Sequence, residues 1–92
     1  MASKTFHLTV ITPEQIFFEG QVASITAPGG AGSLGVLANH APLLSTLQPG
    51  RLILTKADGK KQTFTVGSGF LDIFNNEVTL LTESVQADPN SK

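Results

Sequence analysis

Residues 51–82, RLILTKADGKKQTFTVGSGFLDIFNNEVTLLT, decide the fold class. Two short apolar runs, 51–57 and 61–67, flank Asp58-Gly59-Lys60, and two more, 70–74 and 77–82, flank Asn75-Asn76. Asp, Asn and Gly tolerate the positive φ that tight hairpin turns demand. The stretch therefore reads as two β-hairpins in sequence. In the second arm, Gln62, Phe64 and Val66 alternate against Thr63 and Thr65, the period-2 pattern of a strand.

The same punctuation extends to both ends of the chain. Thr12-Pro13, Glu19-Gly20, Pro28-Gly29-Gly30, Ala38-Asn39, Pro49-Gly50 and Gly67-Ser68-Gly69 cut it into pieces rich in Val, Ile, Leu, Phe and Thr. Most are four to eight residues long, too short for typical helices and suited to strands. Phe6, Leu8 and Val10 fall on one face of a first strand, with Thr5, His7 and Thr9 opposite, which puts His7 on the wet side. Phe17 and Phe18 are adjacent, so a regular strand would point them to opposite faces, either within a doubly covered strand or with one ring left for a partner. The one stretch with helical potential, 42–47, lies between Pro42 and Pro49 and has room for little more than a turn.

Eight to ten short strands in one domain imply an all-β sandwich or flattened barrel, which limits exposed sheet edges. A chain of 92 residues builds one modest core. No repeat or linker interrupts it. The domain is assigned to residues 1–86, and 87–92 to a polar tail containing Pro89 that is expected to fray.

Composition excludes several functions. Hydrophobic residues make up 40% and charged residues 14%, which marks a packed domain rather than a disordered chain. The net charge of -1, without a block of either sign, argues against nucleic-acid binding. Lys56, Lys60 and Lys61 form the only basic cluster and flank a turn, as a solvated hairpin tip does. There is no cysteine, so neither a disulfide nor a thiolate metal site is expected. The N-terminal residues lack an apolar signal core, and no apolar run approaches a membrane span.

Candidate sites are few. Gly30-Ala31-Gly32-Ser33-Leu34-Gly35 matches G-x-G-x-x-G, but the fingerprint needs a following helix whose N-terminus holds the pyrophosphate, and Pro42 would interrupt one. The glycines are instead read as supplying positive φ and close approach in a flexible connection. His7 and His40 have no partners at metal-ligand spacing. Ser45, His40 and Asp72 are not joined by any hydrolase motif, and the acids are isolated along the chain. No catalytic residue, cofactor, metal or small-molecule substrate is expected. The competing reading is a β-sandwich ligand-binding module or enzyme using the glycine-rich loop 29–35, which includes Gly29 and Gly35, together with His40.

An ordered series of short motifs carries a resemblance. It runs through Val10-Ile11-Thr12-Pro13-Glu14, Phe17-Phe18-Glu19-Gly20-Gln21-Val22, Ala27-Pro28-Gly29 and Gly32-Ser33-Leu34-Gly35-Val36-Leu37. It continues with Asn39-His40-Ala41-Pro42-Leu43-Leu44, Leu47-Gln48-Pro49-Gly50, Gly67-Ser68-Gly69-Phe70-Leu71 and Asn76-Glu77-Val78-Thr79-Leu80-Leu81. Over nearly the whole chain this series resembles the N-terminal β-sandwich domain of the epsilon subunit of F-type rotary ATP synthases.

The resemblance implies a flattened ten-stranded β-sandwich. It also implies a non-catalytic rotor subunit of the central stalk, docked on the gamma subunit and the c-ring to couple proton translocation to ATP synthesis. It places Gly32, Ser33, Leu34 and Gly35 on the c-ring side, and His40, Ala41, Pro42 and Ser45 on the gamma side. Membrane association would come only through the complex, at the cytoplasmic face of a bacterial inner membrane. The family's usual C-terminal helical hairpin has no counterpart before Lys92, so helix-mediated inhibition of hydrolysis is not expected of this chain.

Overall fold

The structure is a computed structural model and describes residues 4–88. Ten strands and no helix occupy them: β1 (Phe6–Ile11), β2 (Ile16–Val22), β3 (Ser24–Gly29), β4 (Gly32–Leu37), β5 (Leu43–Leu47), β6 (Gly50–Thr55), β7 (Lys61–Val66), β8 (Gly69–Phe74), β9 (Glu77–Thr82) and β10 (Val85–Ala87). The hydrogen-bonded order is β10-β7-β6-β3-β5-β8-β9-β1-β2, with β4 added on β3. All pairs are antiparallel except β1 with β9.

The path divides into two layers. One contains β10, β7, β6, β3 and β4; the other contains β5, β8, β9, β1 and β2. Their ladder connection is a single pair, Gly29 with Leu47. Period-2 alternation turns one face of each layer inward. Phe6, Leu8, Val10, Leu71, Ile73, Val78 and Leu80 meet Ile25, Val36, Leu52, Leu54, Phe64 and Val66 in one buried core. Each such side chain contributes about 1.5–3 kcal/mol on burial.

Both hairpins expected from residues 51–82 are present, with different turns. Asn75 and Asn76 have φ of 54° and 63° between the paired residues Phe74 and Glu77, the two-residue connection that matches strand twist. In the other, the Lys56 amide donates to the Lys60 carbonyl at 2.8 Å and the Gly59 amide to the Lys56 carbonyl at 2.9 Å. Gly59 alone takes positive φ there, at 88°. Asp58 contributes differently, accepting the Lys60 amide on Oδ1 at 2.9 Å.

Other expectations are corrected. The segment with helical potential is β5, because its amides and carbonyls ladder with β8 from Leu43 opposite Ile73 to Leu47 opposite Gly69. The glycine-rich connection is the β3–β4 hairpin, paired from Ser24 opposite Leu37 to Gly29 opposite Gly32. Of its glycines only Gly32 has positive φ. Phe17 and Phe18 do not split between faces. The register slips between Val10 and Ile11, so Phe18 opposes Val10 while Ile16 opposes Ile11 and Phe17 is the bulged residue. Both rings pack on the core, and Phe17 meets Phe64 of the other layer edge to face, with centroids 5.4 Å apart.

At the chain's end, the expected boundary at 86 falls inside β10. The Asp88 amide donates to the Thr63 carbonyl at 2.9 Å. Residues 89–92, including most of the anticipated tail, lie outside the described residues.

Candidate protein-docking surfaces

The β3–β4 hairpin carries the first set of expected contacts. Gly32, Ser33 and Gly35 are exposed, whereas Leu34 is half-buried against the core. The tip is tied to its neighbours: the Gly30 amide donates to the Thr46 carbonyl at 3.1 Å and the Gln48 amide to the Pro28 carbonyl at 2.8 Å. Gln48 Nε2 also donates to the Gly30 carbonyl at 3.3 Å. A Cβ at Gly30 would collide with Thr46 Oγ1, so a larger residue there requires the Thr46 hydroxyl to rotate away. The strand that follows is β4, not a helix, so the G-x-G-x-x-G pattern lacks the dipole its pyrophosphate-binding namesake uses.

The second set lies at the other end of β5. Asn39 takes φ 64°, and its amide donates to Asn76 Oδ1 at 2.7 Å. Asn76 Nδ2 donates in turn to the Thr5 carbonyl at 2.9 Å, so one amide side chain joins three parts of the chain. Beside this clamp, His40, Ala41 and Pro42 form an open groove of about 600 Å³ with Asn39, Phe74, Asn75 and Asn76. His40 Nδ1 donates to the Ala41 carbonyl at 2.7 Å, which fixes the ring's proton on that nitrogen.

Ser45 is not in the groove. It opposes Leu71, its Oγ donates to the Thr46 carbonyl at 3.0 Å, and it lies near Gly29 at the turn end of the hairpin. From Leu43 to Leu47, β5 advances roughly 13 Å, which separates the groove from the hairpin.

A third surface was not singled out from sequence. The outer face of the β5-β8-β9-β1-β2 layer is tiled by register rows. One row runs Thr46, Phe70, Leu81, Ile11, Ile16. The next runs Leu44, Asp72, Thr79, Thr9, Glu19. In the third, Phe74, Glu77, His7 and Gln21 continue from the groove. Leu44 is 71% exposed, Phe74 65%, Ile16 57%, Phe70 55% and Leu81 47%. His7 Nε2 lies 3.0 Å from Glu19 Oε2 on the same face, so His7 is indeed on the wet side of β1.

The sequence did contain a signal for this face. In residues 70–74 every position but Asp72 is apolar, and a strand apolar on both faces is covered on both faces or waits for a partner.

Among the described residues no group of three His, Cys, Asp or Glu side chains converges as a metal site. Nor does any helix have the length and apolarity to cross a membrane. Ser45, His40 and Asp72 lie beside the turn end of the hairpin, in the groove and on the outer face respectively, so they do not form a nucleophilic triad.

Comparison with known proteins bears on these surfaces. Residues 5–88 match the family described as ATP synthase, Delta/Epsilon chain, beta-sandwich domain. The ATP synthase epsilon chain of Chlorobaculum tepidum is 40% identical over 84 residues, covering 91% of this chain and 96% of that relative. The ATP synthase epsilon chain of Dichelobacter nodosus is 37% identical over 81 residues, but there the chain spans only 57% of the relative. Among solved structures, a chain of the Euglena gracilis mitochondrial ATP synthase OSCP/F1/c-ring assembly superposes with a TM-score of 0.89 at 26% identity. That match covers 95% of this chain and 56% of the other.

Proposed function

The chain belongs to the family of ATP synthase delta/epsilon chain β-sandwich domains, and from that premise we propose that it is a non-catalytic rotor subunit of the central stalk, docked on gamma and the c-ring. The observation that carries this reading is the correspondence of nearly the whole chain with a chain of an F1/c-ring assembly. The subunit performs no chemistry itself. Its task is mechanical: a sandwich held by a continuous ladder and one core passes torque between its contacts without deforming.

In this role the hairpin residues Gly32, Ser33, Leu34 and Gly35 face the c-ring, and His40, Ala41, Pro42 and Ser45 face gamma. The distance along β5 between the hairpin and the groove lets both partners be engaged at once. Ser45, beside the turn end of the hairpin, then marks where the two contacts approach each other. The chain associates with the membrane through the complex, and we place it at the cytoplasmic face of a bacterial inner membrane. The described residues form ten strands and their connections, and the role assigned to them is docking and coupling.

Affinity purification from a membrane extract of the source organism tests this. A tagged chain should recover gamma and c subunits after mild solubilisation. Recovery of neither would overturn the reading.

A further inference from the structure

We propose that the open edge of β4 pairs with the β4 edge of a second copy of this chain, antiparallel about a two-fold axis at Gly35, so that the unassembled protein is a homodimer that must part before the same hairpin can meet the c-ring. The dimer stands on the strand geometry alone. Only its consequence for assembly rests on the rotor role above.

The backbone is the first ground. β4 is paired on one side only, with β3. Across the two-residue turn Gly30-Ala31, Gly29 and Gly32 exchange both backbone bonds, and strand alternation then turns Leu34 and Val36 toward β3 in the same way. Ser33, Gly35 and Leu37 therefore direct their N–H and C=O groups outward. Pro28 agrees with this parity: opposite Ser33, it sends its carbonyl the other way, to the Gln48 amide. Sheet edges are ordinarily blunted by charge, a bulge or shortness. β2 has Glu19 and the bulged Phe17, β10 has three residues, and on β5 the Thr46 carbonyl already accepts the Gly30 amide. β4 has six residues in unbroken register, and no Asp, Glu, Lys or Arg lies between Glu19 and Arg51.

Self-complementarity identifies the occupant. Positions 33, 35 and 37 are symmetric about Gly35, so antiparallel pairing sets Ser33 against Leu37 of the second copy, Gly35 against its own equivalent and Leu37 against Ser33, each pair exchanging both bonds. The same register lays the half-buried Leu34 beside Val36 of the second copy on the inner face, which carries the core across the seam. On the outer face Leu37, 66% exposed, leans toward Gly35 of the second copy, where no Cβ stands in its way. An isologous contact sets each charge against itself, and this edge has none to oppose. Its neutrality also gives a phosphate-bearing lipid or nucleic acid nothing to bind. A seam of one strand pair is smaller than a standard interface, so the dimer forms at roughly 10–500 μM chain.

Sedimentation equilibrium of the whole chain from about 1 to 500 μM should show the mass rising from 9.7 kDa toward twice that. Gly35 has open space around it, so substitutions there should fold with a native Tm. Gly35→Lys and Gly35→Asp each set like charges across the two-fold and should weaken the dimer at least about fivefold, whereas their equimolar mixture should return to within about twofold of native. Without any substitution, amide hydrogen exchange at Gly35 and Leu37 should slow at least about threefold from dilute to concentrated protein, with Glu19 on the β2 edge unchanged. The sequence has no cysteine, and the paired Cα atoms would stand about 5.5 Å apart, so oxidised Gly35→Cys should run as a covalent dimer. That locked dimer should fail to recover c subunits from a membrane extract and should regain them on reduction.

A monomeric mass and unchanged exchange over the whole range, or a mixture as weak as its components, would overturn the dimer and leave the rotor role standing. A locked dimer that recovers c subunits as well as the native chain would overturn the exclusion between dimer and c-ring. A native chain that dimerises but recovers neither gamma nor c would support the dimer and overturn the rotor role.

Discussion

Gly69 offers the sharpest test of the packing argument. It opens β8 and is paired on both sides, with Leu47 of β5 and Thr82 of β9. A Cβ there would collide with the Leu81 carbonyl oxygen and lie 2.8 Å from both the Leu81 carbonyl carbon and Thr82 Cα. These are backbone atoms, so no rotamer change relieves the overlap. β9 cannot readily retreat either, because Thr82 is buried and its Oγ1 reaches the Gly67 carbonyl at 3.0 Å. Overpacking a core typically costs 1–3 kcal/mol. A clash against two pinned strands belongs at the upper end, about 3 kcal/mol.

That is a large part of the roughly 5–14 kcal/mol expected for a domain of this length. At about 4–8 °C per kcal/mol, Gly69→Ala should lower Tm by roughly 12–24 °C in thermal unfolding followed by circular dichroism. Two further glycines calibrate the result. Gly35 has open space and no positive φ, so Gly35→Ala should stay within about 1 kcal/mol of native. Gly59 also has open space, but at φ 88° alanine is strained by about 1–2 kcal/mol. The order of Tm is therefore Gly35→Ala, then Gly59→Ala, then Gly69→Ala lowest. A Gly69→Ala protein melting above Gly59→Ala would refute the reasoning.

Leu52 is fully buried in the core, and Leu52→Ala should cost about 2–5 kcal/mol in urea unfolding, at an unchanged m-value. Thr82 Oγ1 has one proton and three carbonyls within reach, those of Gly67, Ser68 and Ser84; Thr82→Val should cost about 1–2 kcal/mol by leaving them without this donor. Asn76→Gly keeps the positive φ but loses the bonds to Thr5 and Asn39, so it should cost about 1–2 kcal/mol and speed amide hydrogen exchange at Asn39. Glu19→Gln removes the charge facing His7 on an exposed surface and should change stability by less than about 1 kcal/mol.

Local chemistry made much of this protein legible before any coordinates. Asn75-Asn76 and Asp58-Gly59 announced hairpins because their positive-φ tolerance is a property of the residues themselves. Phe6, Leu8 and Val10 faced inward because a strand's period is 2, and His7 faced outward for the same reason. The motif series likewise pointed to the family that residues 5–88 match. Where reading failed, a nonlocal ladder had overridden a local preference. Residues 43–47 are a strand because β8 offers them partners, and the Gly30 to Gly35 segment is a hairpin because β3 does. Phe17 packs inward with Phe18 because the slip between Val10 and Ile11 adds a residue to β2, a defect that exists only once two strands are paired.

The exposed outer face of the β5-β8-β9-β1-β2 layer shows the same division. Sequence by itself determined that Phe70 and Phe74 share one side of a strand, since they are separated by an even number of residues. Only the tertiary structure decided that Leu81, Ile11 and Ile16 stand beside Phe70. β1 joins β9 in parallel across nearly the whole length of the chain, and that register depends on the burial of a common core and not on any turn between neighbours.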